Sequence, residues 1–282
     1  MFNSKIYFVI VLGLFIFGAC VARIPAPSGR PDSPFPYHQI GDTFLADFKE
    51  LSGIIFYPSR GTLFVVSDEG DLAEVSLDGA LLRRVHIDSK DFEGLTLDPA
   101  SGLLYLVTES KGRILEVNPE TLTAGRKFKI DPMFRGQPFL ASGKNHVEAI
   151  VFVPDASRAA GGTFLLAAAN STTPQEGDSL ILEVEVPLQG EENDEETATI
   201  INAFSLDVTD IAELIYAVEQ NTLKAISDQA NLLIELTRDG QVLAVYPLPG
   251  NEQEGVTIDS NGFLYIAQDS GGIIKFQPGR VE

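Results

Sequence analysis

One cysteine, Cys20, stands in a chain of 282 residues, so no intramolecular disulfide can hold the fold. Histidine is almost as scarce, with His38, His86 and His146 the whole supply, and tryptophan is absent. The motifs that hydrolytic and phosphoryl chemistry usually carry are missing: there is no Gly-x-Ser-x-Gly elbow, no His-Glu-x-x-His and no phosphate-cradling glycine loop. Positive charge is also in short supply. Lys and Arg number 20 against 40 Asp and Glu, a formal net charge of −20. A surface of that sign repels phosphate backbones and anionic lipid headgroups alike. Nucleic acid is therefore excluded as a partner, and any membrane attachment falls to a covalent anchor.

The one long apolar run, Ile6–Phe17, is too short for a comfortable transmembrane span and follows Lys5, as in a secretory signal over residues 1–19. Phe17-Gly18-Ala19-Cys20 resembles a bacterial lipobox, which makes Cys20 the acylated first residue of the mature chain. The alternatives are an uncleaved N-terminal anchor, or a signal with a buried free thiol at Cys20. Residues 20–36 are rich in proline and read as an extended tether, which in polyproline form spans on the order of 50 Å. The folded domain is expected over residues 37–282.

What that domain contains is a repeat. Asp91-Phe92-Glu93-Gly94-Leu95-Thr96-Leu97 reads as a short strand. Asp98-Pro99-Ala100-Ser101-Gly102 is a turn, and Leu103-Leu104-Tyr105-Leu106-Val107-Thr108-Glu109 is a second strand ending on a carboxylate. Aligning Gly53 with Gly94 reproduces the hairpin over Glu50–Asp68 without a gap. Further copies open at His146-Val147-Glu148, Asp210-Ile211-Ala212 and Glu252-Gln253-Glu254. In the last copy Asn261-Gly262 is a strong hairpin-turn signal. A third apolar run follows each hairpin and a fourth follows most. Four short strands per unit of roughly 40–60 residues mark the blade of a propeller. The expected fold is all-β, a five-bladed β-propeller of four-stranded blades. The fifth copy stops after its third strand, and an open β edge is a liability. The segment His38–Phe48 is expected to supply the missing strand and close the circle. Two insertions lengthen the period: Ile130–Lys144, aromatic enough to serve as a lid, and Pro187–Thr199, whose run Glu191–Glu196 reads as a solvated loop.

In an antiparallel hairpin the start of the first strand lies beside the end of the second, and in a propeller the first strands line the channel. Residues opening the first strands are Glu50, Asp91 with Glu93, His146 with Glu148, Asp210, and Glu252 with Glu254. Residues closing the second strands are Asp68, Glu109, Asp228 and Asp269, with Asn170 near the aligned position in the third copy. All are expected at one mouth of the channel. Two carboxylates about 5 Å apart repel by roughly 3 kcal/mol at an effective dielectric near 20. Several of them must protonate, move apart or share a cation, and an all-oxygen donor set favours Ca²⁺. Glu93, Glu148 and Glu254 share one register and form the tightest subset. Asp68, Glu109, Asp228 and Asp269 are the other candidate metal ligands. Glu50, Asp91, His146, Asn170 and Asp210 are candidate ligand contacts. The alternative for each acid is a solvated loop position that caps backbone N–H groups. No residue is singled out as catalytic, and His146 is the only histidine expected at the mouth.

Leu51-Ser52-Gly53-Ile54 with Leu63–Glu69, Phe92-Glu93-Gly94-Leu95, Ile226-Ser227-Asp228 with Leu232–Leu236, and Glu254-Gly255-Val256-Thr257-Ile258-Asp259, in this order, resemble the SdiA-regulated (YjiK-type) family of bacterial exported proteins. The resemblance implies a five-bladed propeller, distantly similar to NHL-repeat proteins, with bound calcium. It carries the ligand role onto Glu93, Glu148 and Glu254. Ala149 and Glu213 depart from the glycine usual after those positions, and Ala168-Ala169 from charged residues. The function expected is a lipid-anchored, calcium-binding propeller of the cell envelope that binds a small molecule or an envelope protein. The alternatives are a metal-dependent hydrolase (esterase, lactonase or phytase-like) at the channel mouth and a purely structural platform. Val21 after Cys20 favours the outer membrane.

Overall fold

The computed structural model describes residues 22–24, 34–40, 44–45, 48, 50–87, 91–109, 112–140, 147–169, 178–189 and 195–279. The signal segment, Cys20, His146, Asn170 and Glu191–Asp194 of the acidic run lie outside the described residues. Among those described there is no α-helix.

Three short strands come first: β1 (Ala22–Ile24), β2 (Tyr37–Gln39) and β3 (Phe44–Leu45). The first repeat then forms β4 (Leu51–Tyr57), β5 (Thr62–Ser67), β6 (Asp71–Ser76) and β7 (Leu81–His86). The second forms β8 (Phe92–Leu97), β9 (Leu104–Thr108), β10 (Arg113–Asn118) and β11 (Thr123–Ile130). A hairpin of β12 (Met133–Phe134) and β13 (Gln137–Pro138) precedes the third repeat, β14 (Val147–Pro154), β15 (Gly162–Ala169), β16 (Ser179–Glu185) and β17 (Glu196–Leu206). The chain continues through β18 (Ile211–Ala217), β19 (Thr222–Ser227), β20 (Leu232–Thr237) and β21 (Val242–Pro247), and finishes with β22 (Gln253–Ile258), β23 (Leu264–Gln268) and β24 (Gly272–Pro278). Each repeat is an antiparallel meander in chain order. The last has three strands of its own, and β2 and β3 both pair with β24, Tyr37 opposite Pro278 and Phe44 opposite Ile273.

The apolar runs are continuous because every sheet is covered on both faces. In β5, Leu63 and Val65 belong to a cluster with Tyr265, Ala267 and Ile273 of the last repeat, while Phe64 and Val66 join Leu95, Leu104 and Leu106 of the second. The same alternation builds clusters between the second and third repeats, the third and fourth, and the fourth and last. Each fully buried Leu, Ile, Val or Phe in these seams contributes about 1.5–3 kcal/mol. A seam between last and first repeats turns the row of sheets into a β-propeller ring, and the first strands β4, β8, β14, β18 and β22 contact one another in that cyclic order.

At three points of the hub these strands approach so closely that a side chain would crowd the neighbouring strand. A Cβ on Gly255 would lie 3.0 Å from Ile54 N and 3.1 Å from Gly53 C. One on Gly53 would lie 3.1 Å from Gly94 Cα, and one on Gly94 3.3 Å from the Ile150 amide nitrogen. The inner edges of the strands would leave N–H groups unpaired. Thr257 Oγ1 accepts the Phe56 N–H at 2.9 Å and Thr96 Oγ1 the Phe152 N–H at 2.9 Å, each from a neighbouring first strand.

Of the insertion before the third repeat, expected to serve as a lid, residues 130–140 are described and 141–144 lie outside the described residues. Phe134, Phe139 and Leu140 are buried in the cluster between the second and third repeats, with Phe134 and Phe139 edge-on at 5.1 Å. The acidic run is not purely a solvated loop. Glu196 opens β17 beside Phe128, and Glu195 pairs with Arg113 at 2.5 Å. Ala22–Ile24, inside the expected tether, runs parallel to Phe204–Leu206 of β17.

Gly255→Ala is expected to lose about 1–3 kcal/mol by overpacking the hub. The thermal midpoint then falls by about 2–4 °C for each kcal/mol lost. An unchanged midpoint would show that the first strands can part without penalty.

Candidate functional site

Four of the five residues that open a first strand are described, and all four hold a left-handed backbone: Glu50 at φ 54°, Asp91 at 64°, Asp210 at 55° and Glu252 at 57°. Such a conformation costs an L-residue roughly 1–2 kcal/mol and is free for glycine. Each position nevertheless carries a carboxylate. The turn aims the residue's carbonyl at the strand beside it. Glu50 O accepts the Asp68 N–H at 3.2 Å, Asp91 O that of Glu109 at 3.0 Å, Asp210 O that of Asp228 at 3.2 Å, and Glu252 O that of Asp269 at 3.0 Å. Opening and closing acids are thereby tied together in each of these four repeats. Further bonds run between repeats, from Glu50 N–H to Asp269 O and from Asp91 N–H to Asp68 O, both 2.9 Å.

Two residues further on, every first strand carries a β-bulge. The ladder skips between Leu51 and Gly53, Phe92 and Gly94, Val147 and Ala149, Ile211 and Glu213, and Gln253 and Gly255. The skipped residues are Ser52, Glu93, Glu148, Ala212 and Glu254. A bulge bends its strand and re-aims the unpaired side chain. The shared register of Glu93, Glu148 and Glu254 in the sequence is therefore a shared bulge in the structure.

The three bulge carboxylates are half-buried. Burial, then the fields of Asp68, Glu148, Glu109 and Glu254, push Glu93 up to about 9. Burial with Asp228, Asp210, Asp269 and Glu148 raises Glu254 to about 8. Burial with Glu109, Asp210 and Asp68 raises Glu148 to about 7. Asp68 rises to about 6 through burial and then Glu50, Asp269 and Asp91, opposed by the Ser52 hydroxyl. All seven acids expected as metal ligands, together with Glu50, Asp91 and Asp210, thus share one negative field. They are not equivalent. Asp228 Oδ1 accepts the Gln253 N–H at 2.9 Å and Asp210 Oδ2 the Gln229 N–H at 3.3 Å, so these two cap backbone, while Glu50 and Asp269 are exposed. Among the described residues no three His, Cys, Asp or Glu side chains come together as a ready-made metal cluster.

Glu213 extends the pattern inward. It occupies the place that Gly53, Gly94, Ala149 and Gly255 hold elsewhere and is 1% exposed. Burial keeps its pKa well above the ordinary range, opposed by the Leu214 N–H, at 3.0 Å from Oε1, and the Ile54 N–H. Its Oε2 is buried without a hydrogen-bond partner among the described residues. Glutamate in the glycine register was the sequence signal, and only the hub geometry gives it meaning. Sequence reading also missed Gln253, fully buried where the other repeats place Leu51, Phe92, Val147 and Ile211.

A carboxyl whose folded pKa lies above its unfolded value holds its proton more tightly in the folded state. Its contribution to stability is complete below the unfolded pKa, about 4.5, and is lost as the pH rises through the folded value. Without added cation the thermal midpoint should therefore fall between about pH 5 and about pH 9, by on the order of 5 °C or more. Glu93→Gln should flatten that profile and raise the midpoint at about pH 8.5. A flat profile in the unsubstituted protein would mean that the carboxylates are not crowded.

The model of the SdiA-regulated family matches residues 38–276. No curated protein matches the chain. Among solved structures, glutaminyl cyclase from Myxococcus xanthus superposes with a TM-score of 0.61 at 14% identity, over 89% of this chain and 100% of that one. The nidogen/laminin complex gives 0.49 at 14% identity, over 78% and 72% of the two chains. The β-propeller domain of Cps50 (Swd1) from Myceliophteria thermophila gives 0.48 at 12%, over 86% and 99%. At such identities the likeness to glutaminyl cyclase concerns the fold alone. Repeat, ring and family match lead to the same place: the chain is a member of the SdiA-regulated family.

Proposed function

We propose that the chain is a five-bladed β-propeller, exported and held at the bacterial cell envelope by acylated Cys20, that binds calcium at its hub mouth and engages a small molecule or an envelope protein there. The observation that carries this reading is the set of bulge carboxylates Glu93, Glu148 and Glu254, half-buried in one another's fields with no Lys or Arg partner among the described residues. A hard divalent cation is the direct remedy for that arrangement, and Ca²⁺ accepts the irregular set of 6–8 oxygens that such a mouth offers.

The residues fit that ion in kind. Glu93, Glu148 and Glu254 would hold it, with Asp68, Glu109 and Asp269 around them and Asp228 offering the oxygen that does not cap Gln253. A bound cation would supply fixed positive charge at the mouth. Glu50, Asp91 and Asp210 would then face whatever approaches it, and His146 and Asn170, outside the described residues, are the further contacts expected from the sequence. An outer-membrane location follows from the residue after Cys20.

Metal analysis of the purified protein tests this directly. About one calcium per chain, and a rise in thermal midpoint on adding calcium that is lost in Glu93→Gln and Glu148→Gln, is the expected result. No calcium and no shift would remove the metal from the account. Turnover of esters, lactones or phosphoesters, abolished by the same substitutions, would replace binding with metal-dependent hydrolysis.

A further inference from the structure

The outer strand of the third sheet is an edge that two other segments share. Near its start, Glu196–Ala198 of β17 pairs in parallel with Phe128–Ile130 of β11. Near its end, Phe204–Leu206 pairs in parallel with β1, Ala22 opposite Phe204, Arg23 opposite Ser205 and Ile24 opposite Leu206. An open outer edge is a template for any extended chain. Here the occupant begins two residues after Cys20. A proline-rich segment suits the task, since the extended backbone of a tether is close to that of a strand.

We propose that Ala22–Ile24 is a docking strand, so that the acylated protein rests with the rim of its third sheet against the bilayer instead of swinging on a free spacer. The proposal rests on the reading of Cys20 as the lipid-bearing residue. When β1 is docked, Cys20 lies within about 7 Å of chain from the body of the propeller. When β1 is released, the first fixed point is Phe35, packed against Phe276, and the reach grows to about 45 Å. The direction of β1 adds an orientation. Leu206 pairs with Ser179 at the mouth end of β16, so β1 runs toward the mouth and the chain enters it at Ala22, the end farther from the mouth. The bilayer thus meets the side of the ring and the mouth stays open to the aqueous phase.

The docking is close to balance. The net gain from a few backbone hydrogen bonds is of the same order as the entropic cost of ordering the residues that make them. Attachment at both ends favours it, by the membrane on one side and β2 on the other, because the second contact is then intramolecular. A partner that takes the β17 edge would release the propeller from the rim-down state to the full reach of the tether.

Two measurements on the full acylated chain decide the matter. In the first, hydrogen exchange of the Phe204–Leu206 amides is compared between the unsubstituted protein and the double variant Ala22→Pro, Ile24→Pro, which removes donors in a segment that already tolerates proline. Those amides not bonded to β16 should exchange about tenfold faster in the variant. Equal rates overturn the docking strand. In the second, the protein is placed on vesicles of phosphatidylethanolamine and phosphatidylglycerol, with a dye on a cysteine introduced at exposed Asn202 of β17 or at exposed Ser260. With Cys20 acylated, the introduced thiol is the only one available. Energy transfer to a bilayer dye should be stronger from Asn202 than from Ser260, and the difference should vanish in the double variant. Equal transfer from both sites on vesicle-bound protein overturns the rim-down arrangement and leaves the lipid anchor intact. Protein that fails to stay on vesicles overturns the anchor itself, and the exchange rates still report on docking.

Discussion

Close approach of the first strands at the hub is the constraint from which the site follows. Gly255, Gly53 and Gly94 stand where a Cβ would meet the backbone of the next strand at 3.0–3.3 Å, so a side chain at these three positions would press the neighbouring strands apart. A bulge precedes each of these positions, and the bulged residue is the one expelled from the ladder toward the mouth. Packing at the axis and display at the mouth are therefore one device. Where the third and fourth repeats depart from glycine, with Ala149 and Glu213, the display changes as well: Glu148 remains at the bulge, while the fourth repeat has Ala212 there and carries its carboxyl one residue deeper.

The mouth is built in tiers of different cost. Exposed Glu50 and Glu252 keep water around their charge, and their left-handed backbone serves the hydrogen bonds that join each hairpin's ends. Asp228 and Asp210 have part of their charge met by the backbone N–H groups of Gln253 and Gln229. Glu93, Glu254 and Glu148 have lost water without gaining a donor among the described residues, and their pKa values of about 9, 8 and 7 record that imbalance. Burial is the largest cause in all three, and Glu148, with three neighbouring carboxylates against four for Glu93 and Glu254, is raised least.

Much of the ring was legible in the sequence. Asx and glycine turns fix the hairpins, and the apolar runs of β5, β9 and β15 announce sheets covered on both faces. The set of mouth acids was legible too, because a position that recurs in an aligned hairpin must recur in space. The left-handed turns were not: glycine announces a positive φ, but Glu50 and Asp91 carry no such mark. The bulges were hidden because a register shift belongs to a pair of strands and cannot be read from either alone. Asp228 could not be known as a cap, since its partner Gln253 belongs to the next repeat. The aromatic insertion at 130–144 signalled burial without saying where, and Phe134, Phe139 and Leu140 of its described part lie in the seam between two sheets. Composition also could not separate a free tether from a docked one at Ala22–Ile24, because an extended backbone serves both.

The central claim is that buried, mutually repelling carboxylates at the mouth bind protons until a cation displaces them. Proton release on calcium addition tests it most directly. Metal-free protein held at about pH 7.5 in weak buffer, titrated with calcium chloride, should release on the order of one to three protons per ion bound, and fewer in Glu93→Gln. Stoichiometric calcium uptake with no proton release would contradict the account, because it would mean that these carboxylates were ionised and unstrained before the ion arrived.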